Sequence, residues 1–144
     1  DPEWLHVKGT YLWESAWTDI PDVIEHKRKF GVQIVPLAER VVPGCTFFRK
    51  YSGNRPFDSH NLASIYRDVC DKPYDINPID WVEACIGYDP YPQRDKSYWC
   101  SALVACILTR LKILPEDTDW TITVPAFFAR NDLPCYGPIK CLRK

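Results

Sequence analysis

Residues 97–108 run Ser97-Tyr98-Trp99-Cys100-Ser101-Ala102-Leu103-Val104-Ala105-Cys106-Ile107-Leu108. From Ala102 onward the run is apolar and suits a core helix. With Ser97 as N-cap, Tyr98, Trp99 and Cys100 fill its first three positions. A thiol there faces unsatisfied backbone N–H groups and the positive end of the helix dipole. Both favour thiolate over thiol, and thiolate is the nucleophile. The Cys100 backbone N–H adds a donor for a developing oxyanion. Cys106, deeper in the apolar run, has none of this and reads as an inert core residue. The commoner role for a cysteine at such a place is a small packing residue, so a nucleophile needs support from elsewhere in the chain.

Composition sets the bounds. At 144 residues and 46% hydrophobic, the chain suits one domain, residues 1–144, with a single core. A net charge of −1 gives no electrostatic footprint for nucleic acid or for an anionic membrane. The longest apolar run, Ala102 to Leu108, is far short of a membrane span. Seven cysteines at irregular spacing, with no CxxC pair, argue against a disulfide scaffold and against a zinc site. No metal or cofactor is expected. Reduced thiols in a cytoplasmic compartment are the better reading. Because the chain starts at Asp1 and contains no Met, we expect a domain that lacks its N-terminal portion.

Around the quoted run, the period of the sequence changes once. Tyr11-Leu12-Trp13-Glu14-Ser15 alternates and reads as a strand. Ala16 to Phe30 is a polar excursion whose basic cluster, His26-Lys27-Arg28-Lys29, reads as a solvated loop. Gly31 opens a second strand through Val35, stopped by Pro36, and Gly44 opens a third, Cys45 to Arg49. Asp58 or Ser59 then caps a helix carrying Leu62, Ile65, Tyr66 and Val69. A short helix follows from Asp80 through Cys85, and a proline-rich loop leads to Cys100. Thr121 to Val124 reads as a last strand, and Pro125 to Ala129 as a short final helix. Strands first and helices later, with little alternation, argue for an α+β fold.

Three of these blocks occur in a telling order: Tyr11-Leu12-Trp13-Glu14-Ser15, then Gly31-Val32-Gln33-Ile34-Val35-Pro36-Leu37, then Tyr98-Trp99-Cys100-Ser101-Ala102-Leu103-Val104-Ala105. Over roughly residues 11–125 the chain resembles the circularly permuted papain-like cysteine hydrolases of the NlpC superfamily, especially members from poxviruses and other large DNA viruses. The resemblance implies a small antiparallel sheet packed on a helix that carries the nucleophile at its N-terminus. It implies Cys100 as nucleophile and Glu14 as the residue that orients a catalytic histidine.

The base departs from the pattern. Relatives carry His-Val-Gly more than a dozen residues before the Glu, which falls ahead of Asp1; His6-Val7-Lys8-Gly9 is a partial echo. A two-residue Gly9-Thr10 turn would point His6 away from Glu14's face, whereas a three-residue Lys8-Gly9-Thr10 loop would put both on one face. We favour a base lying upstream, with His6 incidental. His26 and His60 read as surface residues. Relatives also carry Gly where Lys112 stands, which bears on how the long helix ends. Asp119 and Trp120 read as structural, the one satisfying turn amides and the other packing.

Three functions follow as expectations. The first is a hydrolase that attacks a peptide or peptidoglycan-type amide through an acyl-enzyme. The second is a lipid acyltransferase or phospholipase on the same fold, acting on a lipid ester, with Trp4, Trp13 and Trp17 as candidate interface residues. The third is a catalytically dead binding or structural protein. The fold alone does not choose among their substrates.

Overall fold

Alternation of side chains along Tyr11–Ser15 predicts a strand, and the computed structural model, which describes residues 8–53, 58–77, 86–87, 96–130, 132–133 and 136–142, extends it. Strand β1 is Tyr11–Trp17 and pairs antiparallel with β2, Phe30–Pro36, in a register that sets Glu14 opposite Gln33 and Ser15 opposite Val32. One face of this ribbon carries Trp13 and Ser15, and it meets the helices. The Trp13 ring lies 5.9 Å from that of Tyr66, and the Ser15 hydroxyl donates to the Tyr98 carbonyl. Alternation places Glu14 and Gln33 on the other face.

The excursion between the strands is pinned from within. Asp22 is fully buried, and its carboxylate accepts the N–H groups of Ile24 and Glu25 at 2.8 and 2.9 Å and that of Ile34, on β2, at 2.8 Å. His26, Lys27 and Arg28 are solvent-exposed, as a solvated loop requires. Lys29 instead turns inward, bonding Glu25 and the Cys70 carbonyl.

Helix α1, Ser59–Val69, starts at Asp58, whose side chain accepts from the His60 N–H at 2.9 Å. It buries Ala63, Ile65, Tyr66 and Val69, a spacing of three to four that turns one stripe inward. Beyond it, Lys72–Tyr74 runs along β2. The Val32 N–H donates to Lys72 O at 3.0 Å and the Tyr74 N–H to Phe30 O at 3.1 Å. This approach needs a glycine at 31: φ is +150°, and a Cβ there would stand 2.4 Å from Lys72 O.

Tyr74 in turn forms a parallel bridge with Tyr98, and this bridge resets the start of helix α2. The expected Ser97 cap does not form. Tyr98 is drawn into sheet-like pairing, its N–H donating to Pro73 O at 3.1 Å, so the helix cannot begin before Trp99. Trp99 is the N-cap, extended at φ −80° and ψ 168° and without a side-chain cap bond. Helix α2 spans Cys100–Arg110, which puts Cys100 at the first helical position rather than the third. At its far end Lys112 adopts φ +58°, the left-handed conformation that glycine most readily takes.

The remaining elements are short. β3, Phe47–Phe48, pairs antiparallel with β4, Lys140–Cys141, so the expected Cys45–Arg49 strand narrows to two residues. Thr121–Val124 is a turn and not a strand, because Asp119 gathers the Thr121 N–H and hydroxyl at 3.2 and 2.6 Å. A 3-10 turn spans Pro125–Ala129 where a short helix was expected. The expected helix over Asp80–Cys85 lies outside the described residues. The described elements make an α+β fold with two small antiparallel sheets. One buried cluster joins Val32, Val69 and Leu103, and a second joins Ala105, Leu108, Leu114 and Leu133. Among the described residues no helix is long and apolar enough to cross a membrane.

Candidate functional site

Cys100 stands at the point where sheet-like backbone becomes helix, and it is solvent-exposed. The first-turn N–H groups of α2 have no intrahelical acceptors, and Trp99 supplies no side-chain oxygen to them. The neighbours of the thiol divide cleanly. Ser101, Ala102 and Leu103 are buried, whereas Val104, one turn further on, is exposed on the side that Cys100 shares. Cys106 is buried, with its sulfur 3.8 Å from the Tyr98 hydroxyl, and takes the inert role expected of it.

That outward side of α2 opens on a cleft of about 500 Å³, within the range of small-molecule pockets. Cys100, Ser101, Val104 and Leu108 form one wall; Phe47, Phe48 and Arg49 of the β3 region, the Pro125–Ala129 turn, and Leu133, Tyr136 and Ile139 form the others. The surface is almost wholly apolar. Phe47, Phe48, Val104 and Ile139, all at this cleft, are large hydrophobic residues left in contact with solvent.

Tyr74 flanks the thiol electrostatically. Burial, and then the neighbouring Cys100 and Asp75, push its phenol above the ordinary tyrosine value. Sequence reasoning passed over both Tyr74 and Arg49, because each reaches the site through chain-distant pairing. A signal for Tyr74 was nonetheless present in the aromatic and proline pattern Pro73-Tyr74.

Glu14 is engaged elsewhere. Its Oε2 accepts from Arg40 Nε and Nη2 at 3.2 and 3.1 Å, and its Oε1 accepts from Gln33 Nε2 at 3.3 Å. No described contact joins it to Cys100; β1 packs on the α2 core through Trp13, and Ser15 holds the Tyr98 carbonyl just ahead of that helix. Gln33 Oε1 is buried beside Glu14 without a hydrogen-bond partner among the described residues. His6 lies outside the described residues, as does Trp4. His26 and His60 are exposed, and among the described residues no histidine lines the cleft.

Among the described residues, Glu25, Cys70 and Asp71 place three potential metal-ligand atoms within 4.8 Å. Lys27 and Lys29 already supply positive charge there, both paired with Glu25. Burial and the adjacent Asp71 charge push the Cys70 thiol up, away from the thiolate that a metal would need. The chemistry of this donor set is that of an ion-pair network.

No protein family, curated protein or solved structure matches the chain. The geometry alone defines an α+β domain that presents a helix-initiating thiol to an apolar cleft.

Proposed function

We propose that this protein is a cysteine hydrolase of the permuted papain-like class, with Cys100 as nucleophile. The reading is carried by one observation: an exposed thiol at the first position of α2, opening on a cleft large enough for a substrate. In the reaction, the Cys100 thiolate adds to an amide or ester carbonyl. The oxyanion so formed is met by N–H groups of the first helical turn. Collapse expels the amine or alcohol, which takes a proton, and leaves a thioester. Water then adds, and the carboxylic acid departs as the thiolate is restored. Proton transfer falls to a histidine outside the described residues, for which His6 is this chain's candidate, and Glu14 can orient it only by giving up its bonds to Arg40 and Gln33. A reducing, cytoplasmic setting accords with five described cysteines that are free.

Alkylation tests the assignment. Iodoacetamide at limiting concentration should modify Cys100 first. Cys70, whose thiol is pushed up, and the buried Cys106 should react last. First labelling at Cys45 or Cys141 overturns the assignment. Hydrolysis of a panel of peptide anilides and acyl esters should vanish in Cys100→Ala while the fold is kept.

A second reading has its own support. Glu14 is held by Arg40 and Gln33, and no described histidine faces the cleft, which favours a binding protein without catalysis. On that reading Cys100→Ala leaves the protein's role unchanged.

A further inference from the structure

Arg49 is held unusually for a cation. Its Nε donates to Gly137 O at 2.8 Å, and its Nη1 donates to Phe128 O at 3.1 Å and to Arg130 O. Its guanidinium carbon lies 5.8 Å from the centroid of the Tyr136 ring. Phe128 and Tyr136 are themselves walls of the Cys100 cleft, so Arg49 is fixed in that wall from several sides. Among the described residues it has no carboxylate partner. The nearby Asp132 is taken by Arg130, with two bonds at 2.9 and 2.6 Å. Arg49 Nη2 has no acceptor among the described residues. Among the described residues this half-buried cation is satisfied only by neutral carbonyls and lacks a counter-ion, which a ligand can supply.

We infer that the cleft beside Cys100 binds a single-chain anionic amphiphile: an alkyl or acyl chain lies along Phe48, Val104 and Leu108, and its carboxylate or phosphate pairs with Arg49. This deepens the hydrolase reading by naming its substrate class, and it rests on that reading only for the claim that the ligand is a substrate. The ligand is a dispersed molecule and not a bilayer surface. Among the described residues Arg49 is the one basic residue lining the cleft, and a chain of net charge −1 has little pull toward an anionic membrane. Arg49 also fastens β3 to the 128–130 and 137 backbones, so its role as a fastener has to be separated from its role as an anion receptor.

Calorimetric titration of the full chain with alkyl ligands below their micellar concentrations does so. Wild-type protein should bind decanoate about ten-fold or more tighter than decanol. Affinity should rise about four-fold for each added methylene from octanoate to dodecanoate. Arg49→Gln should erase the preference for the carboxylate, and Arg49→Lys should keep much of it. Val104→Glu, at an exposed position that should leave the fold intact, should weaken decanoate more than decanol. Equal affinity for decanoate and decanol in the wild type overturns the role of Arg49, and binding of neither overturns the site. Co-sedimentation with phosphatidylglycerol vesicles that decanoate does not compete would also overturn it, by pointing to a bilayer. Cys100→Ser separates the two readings: it should still bind decanoate, whereas loss of acyl-enzyme formation in that variant concerns the hydrolase alone.

Discussion

Gly31→Ala tests how the site is held in place. The added Cβ would stand 2.4 Å from Lys72 O, 2.8 Å from Pro73 Cα and 2.9 Å from Pro73 C. All three are backbone atoms, so no side chain can swing aside. Residue 31 also sits at φ +150°, which L-residues avoid at a cost of about 1–3 kcal/mol. If the backbone stays in place, overpacking adds about 1–3 kcal/mol. If the 72–74 segment retreats instead, the Val32–Lys72 and Tyr74–Phe30 bonds are lost, at about 0.5–1.5 kcal/mol each. The stiffer unfolded chain of the alanine variant returns about 0.4–1 kcal/mol. By either route the net loss is about 1–5 kcal/mol, or a fall in Tm of about 2–20 °C at this chain length. Urea denaturation followed by tryptophan fluorescence reads it as a lower midpoint at unchanged slope. Since Tyr74 carries Tyr98, the same variant should also blunt the preferential alkylation of Cys100. A stability within about 0.5 kcal/mol of wild type would refute the close approach.

Three other substitutions probe other parts of the fold. Lys112→Gly relieves a side chain at φ +58° and should stabilise by about 0.5–1 kcal/mol, read as a higher thermal midpoint; its exposed contact with Glu116 is worth little. Asp22→Ala strands three backbone N–H groups, one of them on β2, and should cost about 2–4 kcal/mol, with hydrogen exchange at Ile34 faster by orders of magnitude. Burial works to raise the Glu25 pKa, but its bonds to Lys27 and Lys29 outweigh that and hold it below the ordinary glutamate value. A lowered folded-state pKa gives stability that is present above the unfolded value and lost as pH falls through the folded one. Stability should therefore decline below about pH 4.3, and Glu25→Gln should flatten that acid limb in pH-dependent denaturation.

What could be read directly from the sequence was local. The alternation at Tyr11–Ser15, the three-to-four spacing from Leu62 to Val69 and the apolar run after Cys100 each mark an element by its own period. Asp58 as a cap was legible for the same reason, since it acts within one helical turn. What escaped depends on partners far along the chain. Ser97 has the right chemistry for an N-cap, but Tyr98 is claimed by Tyr74 and Pro73, and the helix starts later. The pairing of Phe47–Phe48 with Lys140–Cys141 joins segments about ninety residues apart, and no pattern in either announces the other. Arg49 falls in the same class: three carbonyls from the end of the chain make it a fixture of the cleft. Asp22 looked like one more polar loop residue until its buried bonds to β2 were seen.

Tyr98 is fastened at its carbonyl, its N–H and its ring. Its carbonyl accepts from Ser15 and from the Asp75 N–H, its own N–H is held by Pro73, and its ring stacks on Trp120 with centroids 5.3 Å apart. Helix ends ordinarily fray first. Here the entry to α2 is anchored more firmly than a free terminus, so thermal breathing should begin at the Arg110–Lys112 end and leave the sulfur's location undisturbed until late in unfolding. Whatever meets Cys100 meets it where the fold has already set it, and motion needed to admit a ligand has to come from the opposite bank.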